Sequence, residues 1–174
     1  MITALVVDDD PTLLDIAKVF IEDTGEIQVD SALSASEAFI KIASSRYDVI
    51  VSDYQMPEVD GIQFLKMLKG AGSNVPFILF TGKGREDVAI EALNSGADFY
   101  LQKGGDPKTQ FAELINMMRR SVQQRFAQES VMESEEIFEK LFKDNDSIML
   151  LVDPATAKIA EANAAACRFW GYSR

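Results

Sequence analysis

Ile2-Thr3-Ala4-Leu5-Val6-Val7-Asp8-Asp9-Asp10-Pro11 follows the initial Met1. Ile2–Val7 is short, β-branched and, Thr3 apart, apolar, which predicts a buried strand. Three acids end it, and Asp10-Pro11 then reads as a helix N-cap followed by proline at the first helical position. Working outward, three more runs share this character: Tyr47–Ser52 ending at Asp53, Pro76–Phe80 ending at Thr81, and Phe99–Gln102 followed by Lys103. Glu26–Asp30 supplies a further strand. The segments between them have helical period. Leu13, Ala17, Phe20 and Ile21 line a first helix reaching about Asp23. Ser34-Ala35-Ser36-Glu37 is a capping box opening a second, with Ala38, Phe39 and Ile42 inward. A loop with Pro57 leads to a third, from Gly61, on Ile62, Leu65 and Leu68, which Gly70-Ala71-Gly72 ends. A fourth, about Glu86–Asn94, stops at Gly96, and Asp106-Pro107 starts a fifth.

Five strand–helix pairs make a doubly wound α/β domain with a five-stranded parallel sheet, ending near Val122. Right-handed crossovers leave few strand orders, and 2-1-3-4-5 sets strands 1, 3 and 4 side by side. Ligands of such sheets bind at the carboxyl ends of the strands. Acids, a hydroxyl and an ammonium that lie far apart in sequence are therefore expected to converge there.

Composition narrows the chemistry. The chain has 174 residues, 17 basic and 28 acidic, with a net charge of −11. That balance disfavours nucleic acid, whose phosphates need basic faces. No apolar stretch approaches the roughly 20 residues of a membrane span. Met1 leads straight into a strand pattern, leaving no room for a signal peptide. Cys167 is the one cysteine, so no internal disulfide forms, which fits a reducing cytoplasm. Histidine is absent. That excludes histidine-based zinc sites, histidine general-base catalysis and a phosphohistidine on this chain. A donor histidine would belong to another molecule or to sequence beyond Arg174.

Three carboxylates about 5 Å apart repel by roughly 3 kcal/mol per pair at an effective dielectric of about 20. Asp10 alone is accounted for as a helix cap. Asp8, Asp9 and Asp53 at neighbouring strand tips are not. Such a group must protonate, recruit a cation or use a nearby lysine. Mg²⁺ suits the site, since it takes one or two carboxylates with waters and phosphate oxygens.

Leu5-Val6-Val7-Asp8-Asp9-Asp10-Pro11, Asp53-Tyr54-Gln55-Met56-Pro57-Glu58-Val59-Asp60-Gly61, Phe80-Thr81-Gly82 and Tyr100-Leu101-Gln102-Lys103 together resemble the receiver domain of two-component response regulators, a flavodoxin-like fold. The resemblance covers about residues 1–122. It implies that Asp53 accepts a phosphoryl group from a phosphohistidine of a histidine kinase or phosphotransfer protein, or from a small phosphodonor. Asp9 would bind Mg²⁺ (Mn²⁺ can replace it) directly, Asp8 largely through water, and Asp53 and the Gln55 carbonyl would complete the protein ligands. Lys103 would pair with the phosphoryl oxygens. Thr81 would hydrogen-bond the phosphoryl group, and Tyr100 would swing inward with it as a switch. Gln55 and Lys83, two residues past Asp53 and Thr81, would tune the lifetime of the phosphorylated state. One departure is that Gly104-Gly105 follows Lys103, where the family usually has proline. This predicts a looser aim for the lysine.

Beyond Arg120 the texture changes. Residues 123–142 form a polar linker or signalling helix continuing the fifth, with imperfect apolar spacing through Gln128–Glu136 that predicts a break. Ser147–Val152 and Lys158–Ala160 read as a hairpin about Asp153-Pro154-Ala155-Thr156, and Glu161–Trp170 as a short helix. Asp146-Ser147-Ile148, Val152-Asp153-Pro154, Ile159, Glu161-Ala162-Asn163, Ala166 and Gly171-Tyr172-Ser173 resemble the opening of a PAS sensor domain. Residues 143–174 would then be a short α+β fragment covering about a third of one, with Ala157 where the family commonly has glycine. About 30 residues cannot bury a core alone.

The implied function is a cytoplasmic phosphoacceptor that assists its own phosphotransfer and dephosphorylation without turning over an external substrate. Phosphorylation would shift a two-state equilibrium and signal through the helix to a PAS-containing output, within a homodimer. Two alternatives use the same residues. Asp8-x-Asp10-x-Thr12 also fits the nucleophile motif of haloacid-dehalogenase-type phosphatases, with Asp10 as acid/base. An unphosphorylated receiver used as a scaffold is the other.

Overall fold

The computed structural model describes residues 1–82 and 86–171. Lys83, Tyr172 and Ser173 lie outside them. The order is β1 (Ile2–Val7), α1 (Pro11–Glu22), β2 (Ile27–Ala32), α2 (Ala35–Ser44), β3 (Val49–Ser52), α3 (Gly61–Gly70), β4 (Phe77–Thr81), α4 (Glu86–Asn94), β5 (Phe99–Gln102), α5 (Pro107–Lys143), β6 (Leu150–Val152), β7 (Ile159–Ala162) and α6 (Ala164–Trp170). β1 to β5 form a parallel sheet in the order β2-β1-β3-β4-β5, as expected from handedness. Contacts divide the chain into Met1–Arg125 and Phe126–Arg174.

In the first unit the strands alternate their side chains between two apolar layers. Ala4, Val6, Val49, Val51, Ile78 and Phe80 face α1 and α5, where Ala17, Ile21, Phe111, Leu114 and Met118 are buried. Leu5, Val7, Ile50, Phe77 and Leu79 face the other layer, with Ala38, Phe64, Leu65 and Ala92 from α2, α3 and α4. Phe111 joins strand and helix by stacking on Phe20 at 5.0 Å and meeting Phe80 edge-on at 5.9 Å. Within α1 the fully buried positions are Leu14, Ala17 and Ile21, while the expected Leu13 and Phe20 are half-buried.

The helix starts follow the capping signals. Asp10, Ser34 and Asp60 accept from Thr12, Glu37 and Gln63 N–H at 2.9, 3.2 and 2.8 Å. The expected Ser34–Glu37 box is only half made, since the Glu37 carboxylate accepts from Leu33 N–H at 2.8 Å. The Asp60–Gln63 box is reciprocal, since the Gln63 side chain also accepts from Asp60 N–H at 3.2 Å. In the five-stranded sheet the strand ends differ from expectation by one or two residues, β3 beginning at Val49 and β4 ending at Thr81. By contrast, β6 starts three residues late at Leu150, and Glu161–Ala162, expected in the last helix, extend β7.

The expected break in residues 128–136 is absent, and α5 is one helix of 37 residues. Glu, Gln, Ala and Met are good helix formers, so local propensity sustains the turn where the apolar pattern fails. In the second unit β6 and β7 are antiparallel. Asn163, fully buried, ties hairpin to helix. Its side chain donates to Ser147 and Asn145 carbonyls at 2.8 and 3.2 Å and accepts from Met149 and Ala166 N–H at 3.1 and 2.9 Å. Asp153 organises the hairpin turn through Ala155 N–H and Thr156 Oγ1, and Ala157 there takes φ = 53°, the region that favours glycine. Among the described residues no helix is long and apolar enough to cross a membrane.

Candidate active site at the strand tips

Backbone hydrogen bonds continue one residue past the strands and fix where the site's side chains begin. Asp53 N–H donates to Val7 O at 2.8 Å, Lys103 N–H to Thr81 O at 2.7 Å, and Asp8 N–H to Ala32 O at 3.1 Å. Asp8 and Asp53 are buried, and Lys103 lies between them: Nζ is 2.6 Å from Asp8 Oδ2 and 2.7 Å from Asp53 Oδ1. The ammonium also stands 5.5 Å from the centroid of the Phe80 ring. The remaining oxygens have backbone donors. Asp10 N–H reaches Asp8 Oδ1 at 3.0 Å, and Gln55 N–H reaches Asp53 Oδ2 at 2.6 Å. Burial pushes the Asp8 carboxyl above its ordinary range, against the pull of Lys103 and Asp10 N–H, and the neighbouring Asp53 charge adds to the rise.

Two of the expected trio of acids, Asp8 and Asp53, are bridged by a lysine, the third of the ways open to such a cluster. Asp9 is exposed. Asp10, also exposed, spends its carboxylate on the α1 cap, so the acid/base role that a dehalogenase-type reading requires has no support in its placement. Thr81 is buried at the β4 tip, and Gln55 is exposed just beyond Asp53. Tyr100 is half-buried and pairs with Leu79, two residues back from the Thr81–Gln102 pair at the tips; burial raises its phenol. Gly104 and Gly105, which follow Lys103, take φ of 151° and 84°, both strained for any other residue.

The donor set fits a hard divalent cation. Asp8, Asp53 and the Gln55 carbonyl offer oxygen only, and one ammonium against two carboxylates leaves a residual negative charge. Among the described residues no three His, Cys, Asp or Glu side chains group closely enough to hold a metal alone. Mg²⁺ does not demand that, since it keeps several waters.

Residues 4–118 match the family described as response regulator receiver domain. The chain belongs to that family. This receiver domain is 30% identical over 142 residues to the response regulator Rre1 of Synechocystis, covering 80% of this chain and 62% of that protein. It is 35% identical over 116 residues to the response regulator SaeR of Staphylococcus aureus USA300, covering 67% of this chain and 50% of that one. The chain thus spans between half and about three fifths of the length of these relatives. Among solved structures it is similar to the receiver domain of Francisella response regulator 1452, with a TM-score of 0.66, 34% identity and coverage of 72% and 99% of the two chains. A receiver domain from Clostridium thermocellum gives 0.64, 27%, 73% and 98%.

Sequence reasoning did not single out Ser52, a fully buried hydroxyl that donates to the Asp53 carbonyl at 2.9 Å. Its signal was a polar residue closing the otherwise apolar Val49–Val51. Nor did it find the Asp30 network, in which Tyr47 Oη donates at 2.6 Å and Lys41 Nζ at 2.9 Å.

Proposed function

We propose that this receiver domain of two-component signalling accepts a phosphoryl group on Asp53. The observation that carries the reading is the buried Asp53 carboxylate, held by Gln55 N–H and Lys103 Nζ at the tip of β3. A histidine kinase or phosphotransfer protein would present a phosphohistidine. An Asp53 Oδ then forms the new O–P bond while the P–N bond breaks, its electron pair leaving on the imidazole nitrogen. Lys103 exchanges a carboxylate partner for a phosphoryl oxygen, keeping cationic charge where negative charge develops.

Asp8, Asp9, Asp53 and the Gln55 carbonyl would hold Mg²⁺, or Mn²⁺ in its place. When bound, the ion neutralises phosphoryl oxygens that the carboxylates would otherwise repel. Thr81 hydrogen-bonds the phosphoryl group, Tyr100 follows it as a switch, and Gln55 tunes the lifetime of the product, with Lys83 in the same role by its place in the sequence. The protein assists its own phosphotransfer and hydrolysis and has no turnover on an external substrate.

The signal would pass along α5 to residues 143–174, read as a PAS-like segment, in a cytoplasmic homodimer. Support for that segment is the buried Asn163, which joins hairpin and helix at one of the positions that carried the resemblance.

Intact mass after incubation with Mg²⁺ and acetyl phosphate tests the reading. One phosphoryl is expected on the wild type, absent in Asp53→Asn and lost on mild base. An adduct that survives in Asp53→Asn and disappears in Asp8→Asn would move the acceptor to Asp8.

A further inference from the structure

The acceptor's side chain is held by Lys103 and Gln55, but its backbone is held as well. The Asp53 carbonyl oxygen accepts from Ser52 Oγ at 2.9 Å, a hydroxyl sealed from solvent. The same carbonyl lies directly against the first residue of α3. A methyl group on Gly61 would overlap the Asp53 oxygen outright, stand 3.1 Å from the Asp53 carbonyl carbon and 2.8 Å from Leu79 Cδ1. Real Cβ atoms essentially never come within 3.0 Å of such neighbours.

Conformation does not explain this glycine. Gly61 is absent from the positive-φ residues, and at the start of a helix alanine is the better former. Close approach explains it. The helix cannot retreat to make room, because its start is fixed by the Asp60–Gln63 box, by Gly61 N–H donating to Tyr54 O at 2.9 Å, and by the buried Ile62, Phe64 and Leu65. Asp53 cannot retreat either, because its N–H is committed to Val7. Both peptide groups of Asp53 are therefore immobilised, and with them the direction in which its Cα–Cβ bond leaves the strand tip.

We propose that Ser52 and Gly61 are positioning residues for the acceptor: a buried hydroxyl and a missing side chain together fix the Asp53 carbonyl, and through it the aim of the carboxylate. The inference rests on Asp53 being the acceptor. Its chemical meaning is that in-line attack on phosphorus needs a near-attack geometry, and a misplacement of about 1 Å costs about 100-fold in rate.

The test follows phosphorylation of the full chain by acetyl phosphate with Mg²⁺, as a time course of intact mass, beside the thermal midpoint of each variant. Gly61→Ala is expected to react about 100-fold more slowly. Ser52→Ala, losing one hydrogen bond, is expected to react about tenfold more slowly, and Ser52→Thr, which keeps a hydroxyl, to recover most of the rate. Ile21→Ala in α1 is the stability control: it lowers the midpoint while leaving the rate unchanged. Wild-type rates in Gly61→Ala and Ser52→Ala would overturn the proposal, as would an equal slowing in Ile21→Ala. Should Gly61→Ala not fold, Ser52→Ala decides alone. A wild type that takes no phosphoryl, or an Asp53→Asn that takes as much, would instead overturn the reading of Asp53, so the two failures are distinct.

Discussion

Lys103 carries two carboxylates on one ammonium, at 2.6 and 2.7 Å, with its side chain 17% exposed. Removing it leaves Asp8 and Asp53 buried and facing each other without a counter-charge. Breaking such a pair costs about 3–5 kcal/mol because the charge left behind stays desolvated. Lys103→Met is therefore expected to lower the unfolding free energy by about 3 kcal/mol in urea titration without divalent ions. Added Mg²⁺ should restore more stability to the variant than it adds to the wild type, since the ion then supplies the whole counter-charge. An equal Mg²⁺ effect on both would remove the two carboxylates from the ion's site. Asp8, Asp53, Thr81 and Lys103 were legible in the sequence because each ends or follows a strand, and strand ends share an edge. What pairs with what was not legible. Periodicity says nothing of side-chain reach, so the Lys103 bridge between Asp8 and Asp53, with Asp9 exposed outside it, was not foreseen. Ser52 and Gly61 escaped for the same reason, their roles lying in contacts with a carbonyl.

At the scale of elements, Asp30 in β2 binds Lys41 of α2 and Tyr47 in the approach to β3. Burial pushes the Tyr47 phenol up, and its bond to the Asp30 carboxylate pushes it further, to about 12. Burial also pushes Asp30 up, but the Tyr47 hydroxyl and Lys41 ammonium outweigh it and hold the carboxyl below its ordinary 3.8. The signs differ in their windows. The raised phenol contributes stability that is complete below the ordinary 10.0 and lost as pH climbs toward about 12. The depressed carboxyl contributes stability that is present above 3.8 and lost as pH falls through its lowered folded value. Tyrosinate absorbance is expected to show an ionisation near 12 that Tyr47→Phe removes, and Tyr47→Phe should flatten the alkaline fall in stability. A titration curve left unchanged by Tyr47→Phe in its most alkaline part would contradict the network. Strand and helix identities in this layer came from composition and caps, signals that act within a few residues. The continuity of α5 did not, because an apolar pattern reports what a helix packs against, whereas propensity decides whether it persists.

For the molecule as a whole, charge and apolar surface pull against each other. Each chain carries a net charge of −11, and the latter half of α5 holds Glu129, Glu133, Glu135, Glu136 and Glu139 of that excess against Lys140 and Lys143. On the same stretch Val131, Phe138 and Leu141 are 58, 47 and 59% exposed. They stand seven and then three residues apart, the spacing of a coiled-coil seam, with Ser134 at the position between. Two copies meeting along this seam would bury that surface at about 25 cal/mol per Å² while bringing two acidic helices together. Repulsion between exposed charges is screened over about 10 Å at 0.1 M salt and about 3 Å at 1 M, whereas apolar burial is not weakened by salt. The proposed homodimer is therefore expected to tighten as salt is raised, opposite to an association built on complementary charge. Sedimentation equilibrium of the full chain at low and high salt reads the sign directly. Phe138→Glu with Leu141→Glu should hold the chain monomeric at both, with the melting of Met1–Arg125 unchanged, since neither residue belongs to that unit. Dimerisation that weakens with salt, or that survives the double substitution, would move the interface off α5 and onto the receiver face.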